Sequence, residues 1–297
     1  MPTTPTSQLA PVALTFLSAI LWGVWWIPIR YLEVQGLSGA QAGMLMNLGA
    51  AGLLIIYIAV SRTSLRIGSR AIAGAALVGV AAATYSVALT LSDVVRVILL
   101  FYIAPAWGKI IEWAFMGRRW HWSATVTLAM SLSGAFLVLG GDVSLASLGA
   151  GDLMAVGSGV AWAVGAALIF TGAKSSALPL TLATVLAAAL VAALVAALRA
   201  EAIMPMVPVL VSLKAALVGA AYVLPILFLT LWSAQRLSPA LLSFLFTMEI
   251  LSGVASGALL LDEVFGLMQA AGGALIILAA LSEVVFALRP QIRKTAG

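Results

Sequence analysis

One carboxylate stands near the middle of a long apolar stretch. Glu249 lies within PALLSFLFTMEILSGVASGALLL at 239–261, where a charged group is costly and must face protein, water or a partner. On a helix of 3.6 residues per turn, Glu249, Ser252, Gly253 and Ser256 fall on one face, and Gly253 with Gly257 forms a small-residue pair suited to close packing. That face is expected to point inward. Two chemistries suit such a carboxyl: loading and unloading a proton, or holding the amino group of a ligand. The plain alternative is a protonated or lysine-paired group that joins helices.

A second polar group sits in the stretch at 94–116, where Tyr102, Pro105, Lys109 and Glu112 fall within about 80° on a helical wheel. Pro105 is expected to break the helix: proline lacks a backbone donor and frees a carbonyl, which membrane helices tolerate where the site is buried or lines a cavity. A zwitterion fits this stripe. Lys109 and Glu112 are also spaced to pair with each other. Arg96 points away from the stripe and is expected to pair with Asp93 or to extend toward the membrane surface.

Nine Trp and five Tyr supply aromatic surface for a flat or cationic ligand. Trp26, Trp113, Trp120 and Trp122 lie beside the ends of apolar stretches, as interfacial anchors do. Trp22, Tyr85, Tyr102, Trp107 and Trp162 lie deeper and are candidates to line a cavity, with ordinary helix packing the rival role for each. Cysteine is absent and His121 is the one histidine, so no cofactor or metal centre is expected.

The elements that must position these residues follow from composition. The 297 residues are 63% hydrophobic and 8% charged, against roughly 25% charged in an ordinary soluble domain. The mean hydropathy is +1.16. Apolar runs of bilayer length predict ten membrane-spanning helices, near 10–31, 39–60, 71–91, 94–116, 123–141, 152–173, 178–198, 212–232, 239–260 and 266–287. The Lys and Arg are dispersed singly, which excludes a nucleic-acid partner despite a net charge of +5.

Basic loops stay in the cytoplasm. Arg62, Arg66, Arg70, Arg118, Arg119, Lys174, Arg236, Arg289, Arg293 and Lys294 fall on one side of the ten-span arrangement, whereas the opposite side holds Arg30, Arg96, Arg199 and Lys214 with Asp142, Asp152, Asp262 and Glu263. Both termini are therefore expected to be cytoplasmic.

Shifted by 140 residues, LSAILWGVWW at 17–26 falls on GSGVAWAVGA at 157–166, aligning Ser18 with Ser158 and Trp22 with Trp162. A shift of 145 or 146 places 91–120 on 237–266. The chain then divides into halves at 1–148 and 149–297, each with five spans, and an odd number per half turns the second half upside down in the membrane.

With WGVWW at 22–26, GDLMAVGSGVAWAV at 151–164 and LLLDEVFGLMQAAGGALIILA at 259–279, the sequence resembles the drug/metabolite transporter superfamily, EamA type. FYIAPAWGKIIEW at 101–113 is most similar to the bacterial aromatic amino acid exporters of the YddG type. Gly117 and Arg118 stand where many members place a Gly-Glu pair, while Asp262 and Glu263 keep the acids in the second half. The resemblance implies a bacterial inner-membrane carrier that exports small metabolites by alternating access, aromatic and other apolar amino acids ahead of drug-like cations. Phosphorylated substrates are disfavoured, because they call for several cationic anchors at mid-depth. A channel is a rival class; an intramembrane enzyme would need a catalytic constellation that one histidine and no cysteine do not supply. Driving ion and oligomeric state stay open.

The orientation is testable: a reporter fused after Gly297 that is active only outside the cytoplasm should stay silent, and strong activity would reverse the topology.

Overall fold

The computed structural model describes residues 6–115, 117, 119–120, 122–138, 148–172, 175–234, 239–261 and 266–295. Within them the chain forms helices and no strands. The elements are α1 (Thr6–Gly23), α2 (Trp26–Val34), α3 (Gly39–Ser61), α4 (Ser69–Leu91), α5 (Val94–Phe101), α6 (Ala104–Phe115), α7 (Trp122–Val138), α8 (Ala150–Thr171), α9 (Ala177–Leu198), α10 (Val209–Val218), a π turn (Gly219–Val223), α11 (Leu224–Ala234), α12 (Pro239–Leu260) and α13 (Leu267–Thr295).

Seven stretches among the described residues are long and apolar enough to cross a membrane: Ala10–Val34, Gly39–Ser61, Ser69–Leu91, Val94–Phe115, Ala150–Ile169, Ala177–Leu198 and Val209–Ser233. Shorter apolar helical stretches cover Thr125–Gly134, Met248–Leu260 and Leu267–Ala279. The chain is a multi-pass helical bundle. Its outward faces carry Leu53, Ile56, Leu190 and Leu217, as contact with lipid requires.

Three of the expected spans depart from a regular α-helix, each just before a proline, and Pro105 is itself expected to break its helix. Pro28 has no N–H for the Val24 carbonyl, and the chain breaks between α1 and α2, where Trp25 N–H turns back to the Trp22 carbonyl at 3.1 Å. Pro105 stands in the same relation to the Phe101 carbonyl, and the break at Tyr102 and Ile103 separates α5 from α6. Before Pro225 the helix instead widens into the π turn, with Leu224 N–H reaching back to the Gly219 carbonyl. The spans at 10–31 and 94–116 are thus each divided into two segments, the second as Pro105 implied, while 212–232 stays helical through its π turn, because the proline ring also crowds the carbonyl four residues earlier.

Packing relies on glycine where backbones meet. A Cβ on Gly219 would lie 1.7 Å from the Met46 carbonyl oxygen, and one on Gly49 would lie 2.1 Å from that of Ala216, so α3 and the α10–π segment touch backbone to backbone. Gly74 of α4 meets Gly165 of α8 in the same way, with a Cβ on Gly74 placed 2.7 Å from the Gly165 carbonyl oxygen. At the other end of that pair, Gly151 abuts Leu91 and Ser92. Helix α4 therefore lies along α8 over most of its length. Elsewhere α3 packs on α9, α7 on α13, and α1 on α12.

Gly219→Ala should force α3 away from α10 and cost on the order of 1–3 kcal/mol, the usual range for overpacking. Gly52→Ala, where a Cβ meets nothing within 4 Å, should leave the melting temperature in detergent unchanged or slightly raised. Equal losses for the two variants would show that close approach is not what Gly219 provides.

Candidate functional site

The spans broken before Pro28 and Pro105 converge on α12. Gly23, last residue of α1, sits so close to α12 that a Cβ on it would lie 2.4 Å from the Glu249 carbonyl oxygen and 2.7 Å from Gly253 N. From the other side Ile98 of α5 reaches Gly253, where an added Cβ would meet its Cδ1 at 2.2 Å. Glu249 is thereby clasped at the level of both breaks and is 5% exposed.

Its carboxyl is hydrogen-bonded by one tyrosine and approached by another. The break after α5 turns Tyr102 so that its hydroxyl lies 2.7 Å from Glu249 Oε2 and 2.7 Å from the Phe246 carbonyl oxygen. One phenolic proton serves two acceptors. Tyr85 of α4, 4% exposed, brings a second phenol against the same carboxyl. Around this group the rings form a chain: Tyr85 to Phe101 at 5.0 Å, Phe101 to Tyr102 at 5.5 Å, and Trp162 at 6.4 Å from both Phe101 and Phe246. An acid enclosed by tyrosine donors and aromatic rings suits an amine or a proton chemically.

The remaining sequence candidates fall into place around this centre. Trp22 is partly buried and donates Nε1–H to Thr230 Oγ1 at 3.1 Å, beside a hydroxyl pair of Ser18 and Thr230 at 3.0 Å. Ser252 and Ser256 are on the Glu249 face, yet both are engaged in helix contact. Ser252 Oγ donates within α12, to the Met248 carbonyl at 2.9 Å, and stands 3.2 Å from the Ile20 carbonyl of α1. Ser256 Oγ accepts from Trp26 Nε1 at 2.9 Å. Trp107 is partly buried with its Nε1 in no hydrogen bond. The side chains of Pro105, Lys109 and Glu112 lie outside the described residues, as do Asp262 and Glu263.

Two expectations are corrected. Trp26 is 4% exposed and bonded to Ser256, a packing residue rather than an interfacial anchor, because the break at Val24 swings α2 inward. Trp113, Trp120 and Trp122 are exposed, as anchors are. Arg96 pairs with Asp152 Oδ2 at 2.8 Å instead of Asp93, because α8 begins beside α5 and its first turn presents that carboxylate.

Three participants escaped the sequence reading. Trp25 stacks on Tyr222 at 5.6 Å and donates to Ser86 Oγ at 3.0 Å. Tyr222, within the π turn, donates its hydroxyl to the Leu21 carbonyl at 2.5 Å. That carbonyl lost its own partner when Trp25 N–H turned to Trp22. Phe246 joins the ring chain from α12. The available signal was Pro28 and Pro225, each a few residues beyond an aromatic side chain in an apolar span.

No family model and no curated protein matches the chain. Among solved structures, a crystal structure described simply as that of a protein is similar in fold: TM-score 0.59 at 18% identity, over 94% of this chain and 98% of the other. The whole helical bundle thus follows an architecture already seen in a crystal.

Proposed function

We propose that the protein is a membrane carrier that moves small metabolites by alternating access, with aromatic and other apolar amino acids as its substrate class and the Glu249 centre as its substrate or coupling site. The observation that carries this reading is the buried Glu249 carboxyl, hydrogen-bonded by Tyr102 where two interrupted spans meet α12. Interrupted helices at mid-depth are how many secondary transporters form their sites.

On this reading the ten apolar helical stretches are ten crossings, in halves 1–148 and 149–297 of opposite topology, with both termini in the cytoplasm of a bacterial cell. The packing supports a paired arrangement. If each span in the first half corresponds to the span five places later, α1 on α12 matches α5–α6 on α8, and α4 on α9 matches the α10–α11 span on α3. The pairs α3 with α9 and α7 with α13 are their own counterparts. The sequence resemblance to EamA-type transporters points the same way. Export of drug-like cations is the alternative within the same mechanism, favoured by the same acid and rings; a channel would show flux that does not saturate.

Purified protein in liposomes, challenged with radiolabelled amino acids in competition, tests the reading. Glu249→Gln keeps the shape and removes the charge, and should lower transport of the preferred substrate by about tenfold, the size of a lost charge-assisted hydrogen bond. Loss of the pH dependence of exchange would assign proton coupling; weaker apparent affinity at every pH would assign amine binding. Normal transport across the pH range would make Glu249 structural.

Trp162→Ala should weaken transport of Trp or Phe about fivefold relative to small aliphatic amino acids, since one ring contact is worth on the order of 1 kcal/mol. Equal losses for both substrate classes would mean a packing defect instead.

A further inference from the structure

At one end of the bundle the polar contacts gather. Arg96, in the first turn of α5, sets a guanidinium nitrogen 2.8 Å from Asp152 Oδ2, and Ser92 Oγ donates to Asp152 Oδ1 at 2.9 Å. Asp152 is 4% exposed and its Oδ2 also accepts the Gly149 N–H at 3.1 Å, so both carboxylate oxygens are engaged at the start of α8. Ser92 in turn offers its carbonyl to Arg30 at 3.3 Å, tying α2 to the same point. Among the described residues, Arg96–Asp152 is the one ion pair that joins distant parts of the chain; Arg30–Glu33 and Arg199–Glu201 are local. Beneath it the segments touch closely, with Gly151 against Ser92 and Leu91.

A nearly buried carboxylate that loses its cation is strongly disfavoured, whereas the intact pair stands against little competition from water. We propose that Ser92, Arg96 and Asp152 form a latch that holds this end of the bundle shut, so that access to the Glu249 centre from this side requires the pair to part. The latch joins the 1–148 half to the 149–297 half, and its place in a transport cycle rests on the carrier reading above. The charge distribution of the loops puts it at the outer face.

The chain has no cysteine, so one introduced thiol reports cleanly. Ala155, one turn deeper along α8 and 0% exposed, is replaced by Cys, and its modification by a membrane-impermeant charged methanethiosulfonate is timed in the full-length protein. Modification should be slow in this background and faster by on the order of tenfold after Arg96→Gln, the loss of one charge-assisted hydrogen bond. Arg96→Lys keeps the charge and should stay near the slow rate, which separates unlatching from general unfolding. Fast modification with Arg96 present, or an unchanged rate after Arg96→Gln, overturns the latch. This arm needs no substrate. A second arm oxidises Ser92→Cys/Asp152→Cys and should stop flux of radiolabelled tryptophan until a reductant is added; continued flux through the cross-linked protein also overturns it. If the unaltered protein moves no amino acid, the carrier reading fails while thiol modification still decides the latch.

Discussion

A peptide carbonyl freed by proline inside an apolar bundle has no water to turn to, and much of the architecture answers that constraint. The break before Pro28 leaves the Leu21 carbonyl without its helical partner, and Tyr222 Oη supplies a donor from across the bundle. Tyr222 lies in the π turn that Pro225 itself imposes on its span. Two prolines nearly two hundred residues apart in the chain are thereby coupled through one hydrogen bond. The turn that exposes Leu21 also aims Trp25 at Ser86 and Tyr222, so the aromatic packing on this side follows from the same backbone requirement.

The Glu249 centre has a related origin. The break before Pro105 ends α5 at Phe101 and releases Tyr102 from a regular helical position, letting its hydroxyl address both the Phe246 carbonyl and the Glu249 carboxylate. Gly23 and Gly253 then let α1 and α12 approach to backbone contact at that level. Interrupted helices make the polar centre affordable because each break provides hydrogen-bonding groups that a continuous helix would spend on itself. A carboxyl in this setting touches neighbouring spans on more than one side.

Charged pairs among the described residues gather at the end near Ser92, whereas deeper contacts between the same helices are made by glycine, hydroxyls and rings. Ion pairs are tolerable where water and headgroups share the cost of solvation, and neutral hydroxyl bonds such as Ser18 with Thr230 serve where they do not.

Helical class, multi-pass character and nearly all helix positions were legible in the sequence, because apolar runs of bilayer length are a one-dimensional property read directly from residue order. So was the isolation of Glu249 in an apolar stretch, since an acid among apolar residues is visible in residue order alone. What the tertiary structure decided is pairing. Sequence offers Arg96 its neighbour Asp93 or the membrane surface, but α8 starts beside α5 and delivers Asp152. Trp26 was read by its place near a span end, but the break at Val24 turns it toward Ser256. Tyr102 lies at the break before Pro105, and its hydroxyl turns to Glu249 and Phe246 on α12. Periodicity gives the face of an unbroken helix; once proline breaks it, the direction of each side chain depends on which distant segment satisfies the freed backbone, and that is settled only when the spans pack.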